Sequence, residues 1–124
     1  MFEHLPSPGH VVALKISGTL TGDEYDRIVA DVEARLARHE RLGVFVDLLE
    51  FDDLTGAAVL KDIRYALSKL SELRRFPREA VITDKRWIRT LVKAASPLVP
   101  HVEIRAFGPD EREAAMAWAS QVAG

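Results

Sequence analysis

Four carboxylates stand close together at Asp47, Glu50, Asp52 and Asp53. Such a cluster could hold a hard cation, but it lacks the ligand spacing and the glycine of a calcium loop. A solvated acidic loop accounts for it as well. His4, His10, His39 and His101 fall on a strand, a turn, a helix end and a loop, and no two have metal-ligand spacing. His39, near a helix C-terminus, reads as dipole compensation. Cysteine is absent, which excludes disulfides, thiolate zinc sites and a cysteine nucleophile together. Gly18 and Gly22 bracket Thr19–Thr21 without the spacing of a phosphate loop or a dinucleotide fingerprint. No Gly-x-Ser-x-Gly elbow occurs. The pattern speaks for binding rather than catalysis, with no enzyme activity, cofactor or metal expected.

The binding signal is apolar and cationic. Lys85, Arg89 and Lys93 repeat every fourth residue, with Arg86 beside them. Trp87, Ile88, Leu91, Val92 and Ala95 take the other side of the same helix. A basic face backed by Trp and Leu suits an anionic membrane interface. An amphipathic helix covering a core has the same pattern. Phe51 and Leu54, from the acidic loop, and Trp87 follow central strands at the edge where open α/β sheets bind ligands. The expectation is a small apolar pocket lined by Phe51, Leu54, Ile63, Trp87 and Leu91, opened by helix displacement. Lys85 and Arg89 would meet an anionic head group at its mouth. Ordinary core packing is the alternative for each apolar member.

Elements to carry these residues follow from periodicity. Met1–Leu5 reads as a short strand, broken by Pro6, Pro8 and Gly9. Val11–Ser17 is a strand. Thr21 with Glu24 has capping-box spacing for a helix over about 22–40, whose stripe is Tyr25, Ile28, Val29, Val32 and Leu36. Leu42–Leu49 is a central strand, 49–54 an acidic loop, and a second helix spans about 55–70. Glu79–Thr83 is another buried strand. Asp84 is a candidate cap for a helix over about 85–95, which Pro97 stops. Val102–Phe107 is the last strand, and Asp110 with Glu113 has the capping spacing for a final helix. The order β-β-α-β-α-β-α-β-α predicts a single-domain α/β fold over residues 1–124. Its five-stranded sheet is mixed but mostly parallel, flanked by four helices.

A length of 124 residues with 48% hydrophobic and 29% charged residues fits one folded domain. The first ten residues lack the basic and apolar regions of a signal peptide, and no run is long enough to span a membrane. A cytoplasmic protein, peripheral at most to a membrane, is expected. Charge is uneven. Residues 61–93 hold ten Lys/Arg against four Asp/Glu, and the rest holds seven against fifteen. An anionic partner would explain this, as would a solvated face. Nucleic acid is not expected, because the total charge is −2 and no recognition motif accompanies Arg74, Arg75 and Arg78. An exposed apolar helix face would favour a homodimer.

Gly18-Thr19-Leu20-Thr21-Gly22-Asp23-Glu24-Tyr25, Asp84-Lys85-Arg86-Trp87, Ser96-Pro97-Leu98 and Ala117-Trp118, in this order, resemble the SpoIIAA-like branch of the STAS fold over nearly the whole chain. The resemblance implies a mixed sheet flanked by helices and a likeness to CRAL-TRIO lipid-binding domains. It implies a nonpolar ligand or membrane association, and no reaction. It also raises a second reading, a regulatory protein partner of the anti-sigma-factor-antagonist kind. In those proteins a Ser in a motif resembling Asp-Ser-Ser-Gly is phosphorylated. This chain has Asp53-Leu54-Thr55-Gly56, so Leu54 stands at the phosphorylated position and Thr55 matches the second Ser only. A helix N-terminus suits a phosphate, but Glu50, Asp52 and Asp53 would repel it. Thr55 is thus a candidate phosphorylation site or simply a helix cap.

Overall fold

The computed structural model describes residues 1–54, 61, 64–65, 75–98 and 102–122, without the side chains of residues 53, 54, 95 and 98. The main sheet is formed by β1 (Phe2–His4), β2 (Val11–Ile16), β4 (Gly43–Asp47), β6 (Arg78–Ile82) and β7 (Glu103–Phe107), in the order β1-β2-β4-β6-β7. β1 runs antiparallel to β2 and the other pairs are parallel. This is the mixed, mostly parallel sheet that the element order predicts. Two further strands, β3 (Gly18–Leu20) and β5 (Phe51–Leu54), pair in parallel as a separate small sheet. The acidic loop expected over 49–54 is therefore largely a strand. Its partner segment turns through Gly18, whose φ of 64° suits a residue without Cβ.

Helix α1 spans Gly22–Leu36, α2 Arg86–Ala95 and α3 Arg112–Ser120. Of the helix expected over about 55–70, only Lys61, Arg64 and Tyr65 are described, and all three are helical. Lys61 pairs with Asp26 of α1.

The predicted capping box of α1 is present. Thr21 Oγ1 accepts from Glu24 N at 3.3 Å, and Glu24 Oε1 accepts from Thr21 N at 3.3 Å. The N-terminal ammonium lies 2.8 Å from Glu24 Oε2 and, with the Thr21 bonds, holds the Glu24 carboxyl below its ordinary value. A carboxyl lowered on folding contributes fully at neutral pH. The contribution is lost as pH falls through the lowered value. Thr21→Ala should cost about 1 kcal/mol, read as a lower urea midpoint at unchanged slope.

The other caps differ from expectation. α1 ends at Leu36, and Arg75, not His39, satisfies the last carbonyls. Its guanidinium donates to Leu36 O at 2.7 Å, His39 O at 2.9 Å and Glu40 O at 2.8 Å. Five donors in a fork reach several orphan carbonyls together, which an imidazole cannot do. Asp84 does not cap α2. Thr83 Oγ1, buried at the end of β6, accepts from Lys85 N at 3.0 Å and shapes the turn instead. The final helix begins with a short 3-10 turn at Pro109–Glu111. There Glu111 Oε1 accepts from Gly108 N at 2.7 Å, while Glu111 N donates to the Gly108 carbonyl at 3.0 Å, so the N-terminal turn is closed by Gly108 and Glu111 rather than by a capping box of Asp110 and Glu113.

Each strand alternates between two faces. Val11, Ala13, Phe45, Ala80 and Ile82 pack with Phe107 and with Ala115 and Ala119 of α3. Small residues let that helix approach closely. Its terminal carbonyls are held by side chains at the starts of β2 and β6, with His10 Nε2 2.8 Å from Ser120 O and Arg78 Nη1 donating to Trp118 O at 2.9 Å. Asp47 also faces α3. It is 3% exposed, pairs with Arg112 and accepts from Leu49 N at 3.0 Å. The carboxylate cluster is thus divided, since Glu50 pairs with Lys15. The hydrogen bond and charge of Glu50 raise the Lys15 ammonium above its usual range.

Candidate functional site

The opposite face of the main sheet carries Leu14, Ile16, Val46, Val81 and Ile104. Helix α1 lies over it with Tyr25, Ile28 and Val32, and α2 with Trp87, Ile88, Leu91 and Val92. Between them is a cavity of about 560 Å³. Leu20 of β3 and Phe51 of β5 close part of its wall. The small second sheet thus turns what reads as an acidic loop into a support for a buried aromatic, Phe51, which is 5% exposed. Among the described wall residues the one carboxylate is Glu79, in register with Val44 and Ile104.

Trp87 and Leu91 line the cavity yet remain 46% and 57% exposed. They lie about one turn apart on α2, so they form a rim with one side on the cavity and one on solvent. The Trp87 ring sits 6.3 Å from that of Phe51, tilted by 36°. The outer surface of the rim is flanked by Lys85, Arg86 and Thr90. No acidic residue occurs between Lys85 and Val102.

Three of the five apolar residues singled out in the sequence, Phe51, Trp87 and Leu91, therefore share one cavity. The backbone of Leu54 belongs to β5, opposite Leu20, and its side chain lies outside the described residues. Ile63 and Thr55 lie outside them altogether. Lys85 and Arg89 are not brought together. Lys85 donates through Nζ to Leu49 O at 3.0 Å, tying the start of α2 to the turn before β5. Arg89 lies on the other flank of α2, in an adjoining cleft with Lys93, Ser96 and Ile104. Tyr25, Ile28 and Val32 are the wall residues that sequence reasoning treats only as the core face of α1. Helical periodicity marks that they face the sheet, not whether the space between is filled.

No helix among the described residues is long and apolar enough to cross a membrane. The described residues contain no group of three His, Cys, Asp or Glu side chains able to hold a metal.

No curated protein matches the sequence. Among solved structures, the chain is similar to an uncharacterized protein of the DUF3478 family with a SpoIIAA-like fold from Shewanella loihica PV-4. The TM-score is 0.75 at 23% identity, covering 96% of this chain and 92% of that one. At that identity the likeness concerns the fold, and it agrees with the five-stranded sheet described above. The SpoIIAA-like family model matches residues 11–120, from the first residue of β2 to the last of α3, and the chain accordingly belongs to the SpoIIAA-like family.

Proposed function

We propose that the chain is a non-enzymatic binding module for a nonpolar, lipid-like small molecule, held between the sheet and helices α1 and α2 and exchanged at a membrane surface. The observation that carries this reading is the cavity of about 560 Å³, walled among the described residues almost wholly by apolar side chains and rimmed by exposed Trp87 and Leu91. That volume falls in the usual range for small-molecule sites. The basic, acid-free stretch of α2 favours an anionic surface at the rim. Three described groups that could do chemistry are engaged structurally: Asp47 with Arg112, Glu50 with Lys15, and His10 with Ser120 O.

Native mass spectrometry of the freshly purified chain, followed by organic extraction, tests the reading. A stoichiometric apolar adduct is the expected result. In a Trp118→Phe background, Trp87 is the only indole, and its emission should shift on titration with fatty acids. A clean mass and unchanged emission after incubation with fatty acids would defeat the proposal. Affinity should rise with chain length by about fourfold per methylene, the equivalent of about 0.8 kcal/mol, until the cavity is filled.

A second reading, a protein-interaction regulator of the anti-sigma-factor-antagonist kind, is favoured by the same exposed pair on α2. A kinase or switch-protein partner would cover Trp87 and Leu91. In that case a Trp87→Ala, Leu91→Ala variant loses the partner, while no lipid copurifies with the parent chain.

A further inference from the structure

Among the described strands, β7 forms one edge of the main sheet, opposite β1. Glu103 N donates to Pro77 O at 2.8 Å, and Phe107 O accepts from Thr83 N at 3.0 Å. In a parallel ladder alternate residues bond the same neighbour. Glu103, Arg105 and Phe107 therefore bond β6, and the backbone N–H and C=O groups of Ile104 and Ala106 point outward. Beside this edge runs a cleft of about 580 Å³ between β7 and the flank of α2. Val92, Pro97 and Ile104 give it an apolar wall, and Arg89 and Lys93 border it. Arg105 also lines it, but its guanidinium lies over the rings of Phe107 and Trp118, 5.1 and 5.2 Å from their centroids, on the α3 side of the sheet. No carboxylate lines it among the described residues, and neither Arg89 nor Lys93 forms an ion pair within them. Arg89 and Lys93 are a like-charged i, i+4 pair, which repels unless an anion lies between them.

We propose that this cleft docks an extended acidic peptide segment, which adds to β7 as a sixth strand. An edge offering donors and acceptors in alternation fits a backbone rather than a simple anion. Arg89 and Lys93 select acidic side chains. They also disfavour pairing of two copies through β7, because like charges would be brought together at the seam. The cleft adjoins the cavity through Val92 and Ile104 but opens on the other flank of α2, and the proposal does not rest on the lipid reading.

The test uses the full chain and an eight-residue, end-blocked peptide of alternating Glu and Val, with a Lys–Val peptide as control. Saturation with the acidic peptide should slow amide hydrogen exchange at Ile104 and Ala106 at least tenfold. Arg89→Glu with Lys93→Glu should weaken binding at least tenfold, and added salt should weaken it in the parent. Ala106→Pro removes one outward donor without touching the β6 ladder, so it should fold and bind less well. Equal binding of both peptides, or unchanged exchange at Ile104 and Ala106 under saturation, would overturn the proposal. Anionic vesicles provide a third arm. If they bind through Arg89 and Lys93 and the acidic peptide does not, the cleft serves a membrane and the peptide proposal fails.

Discussion

Gly43→Ala should destabilise the fold by about 3 kcal/mol or more, against a cost of no more than about 0.5 kcal/mol for Gly9→Ala. Gly43 opens β4, between Val11 of β2 and Arg78 of β6. A Cβ there would stand 1.9 Å from the Ala119 carbonyl oxygen of α3 and 2.9 Å from its carbon. Real Cβ atoms essentially never come within 3.0 Å of a neighbour, and the atoms in the way are backbone. Helix α3 would have to withdraw by about 1 Å from a face where Ala80, Ala115 and Ala119 are wholly buried. That movement would open voids around Phe45 and Ile82 and strain the bonds of His10 and Arg78 to the helix end. At Gly9 the nearest atom is the end of the His39 side chain at 3.6 Å, an ordinary contact. Urea unfolding of both variants reads the difference. A Gly43→Ala loss as small as that of Gly9→Ala would mean that α3 is not seated on the sheet as described.

The succession of the main strands along the chain and their mostly parallel pairing are legible in the sequence because each buried strand is a short apolar run bounded by turn residues, such as Val44-Phe45-Val46 or Glu79–Thr83, and helical stretches separate them. The small sheet is not legible for the opposite reason. Gly18–Leu20 and Phe51–Leu54 contain three or four residues each, rich in Gly, Thr and Asp, and only their mutual pairing makes them strands. Long-range polar bonds escape in the same way. Arg75 reads as part of a basic stretch, yet it closes the end of α1 from 35 or more residues away. Asp47 reads as one of four loop carboxylates, yet its strand position turns it onto the α3 face against Arg112. On α2, helical spacing places Trp87 and Leu91 on the apolar side correctly. It does not show that the apolar arc is wider than the space beneath it, which leaves both at the rim. For the same reason Lys85 and Arg89, four residues apart, read as neighbours at one mouth. The turn formed by Thr83 draws Lys85 toward Leu49, while Arg89 leans over β7.

Val46→Phe should abolish most ligand binding while leaving the fold close to its parental stability. Val46 projects from β4 between Leu14 and Val81, toward the space under α1 and α2. In a filled core, enlarging a side chain by a ring costs about 1–3 kcal/mol through off-rotamer packing. Over a cavity of about 560 Å³ the ring has room, and the apolar contacts it gains offset part of the cost of rearrangement. The ring would occupy space equivalent to three or four ligand methylenes. At about 0.8 kcal/mol each, binding would weaken by roughly a hundredfold. Unfolding and fatty-acid titration of the same variant separate the two readings of the face. A large stability loss with unchanged copurification of lipid would show that the cavity is closed in solution and that any lipid sits elsewhere. Retained stability with lost binding would locate the ligand under the helices, with Trp87 and Leu91 at its point of exit.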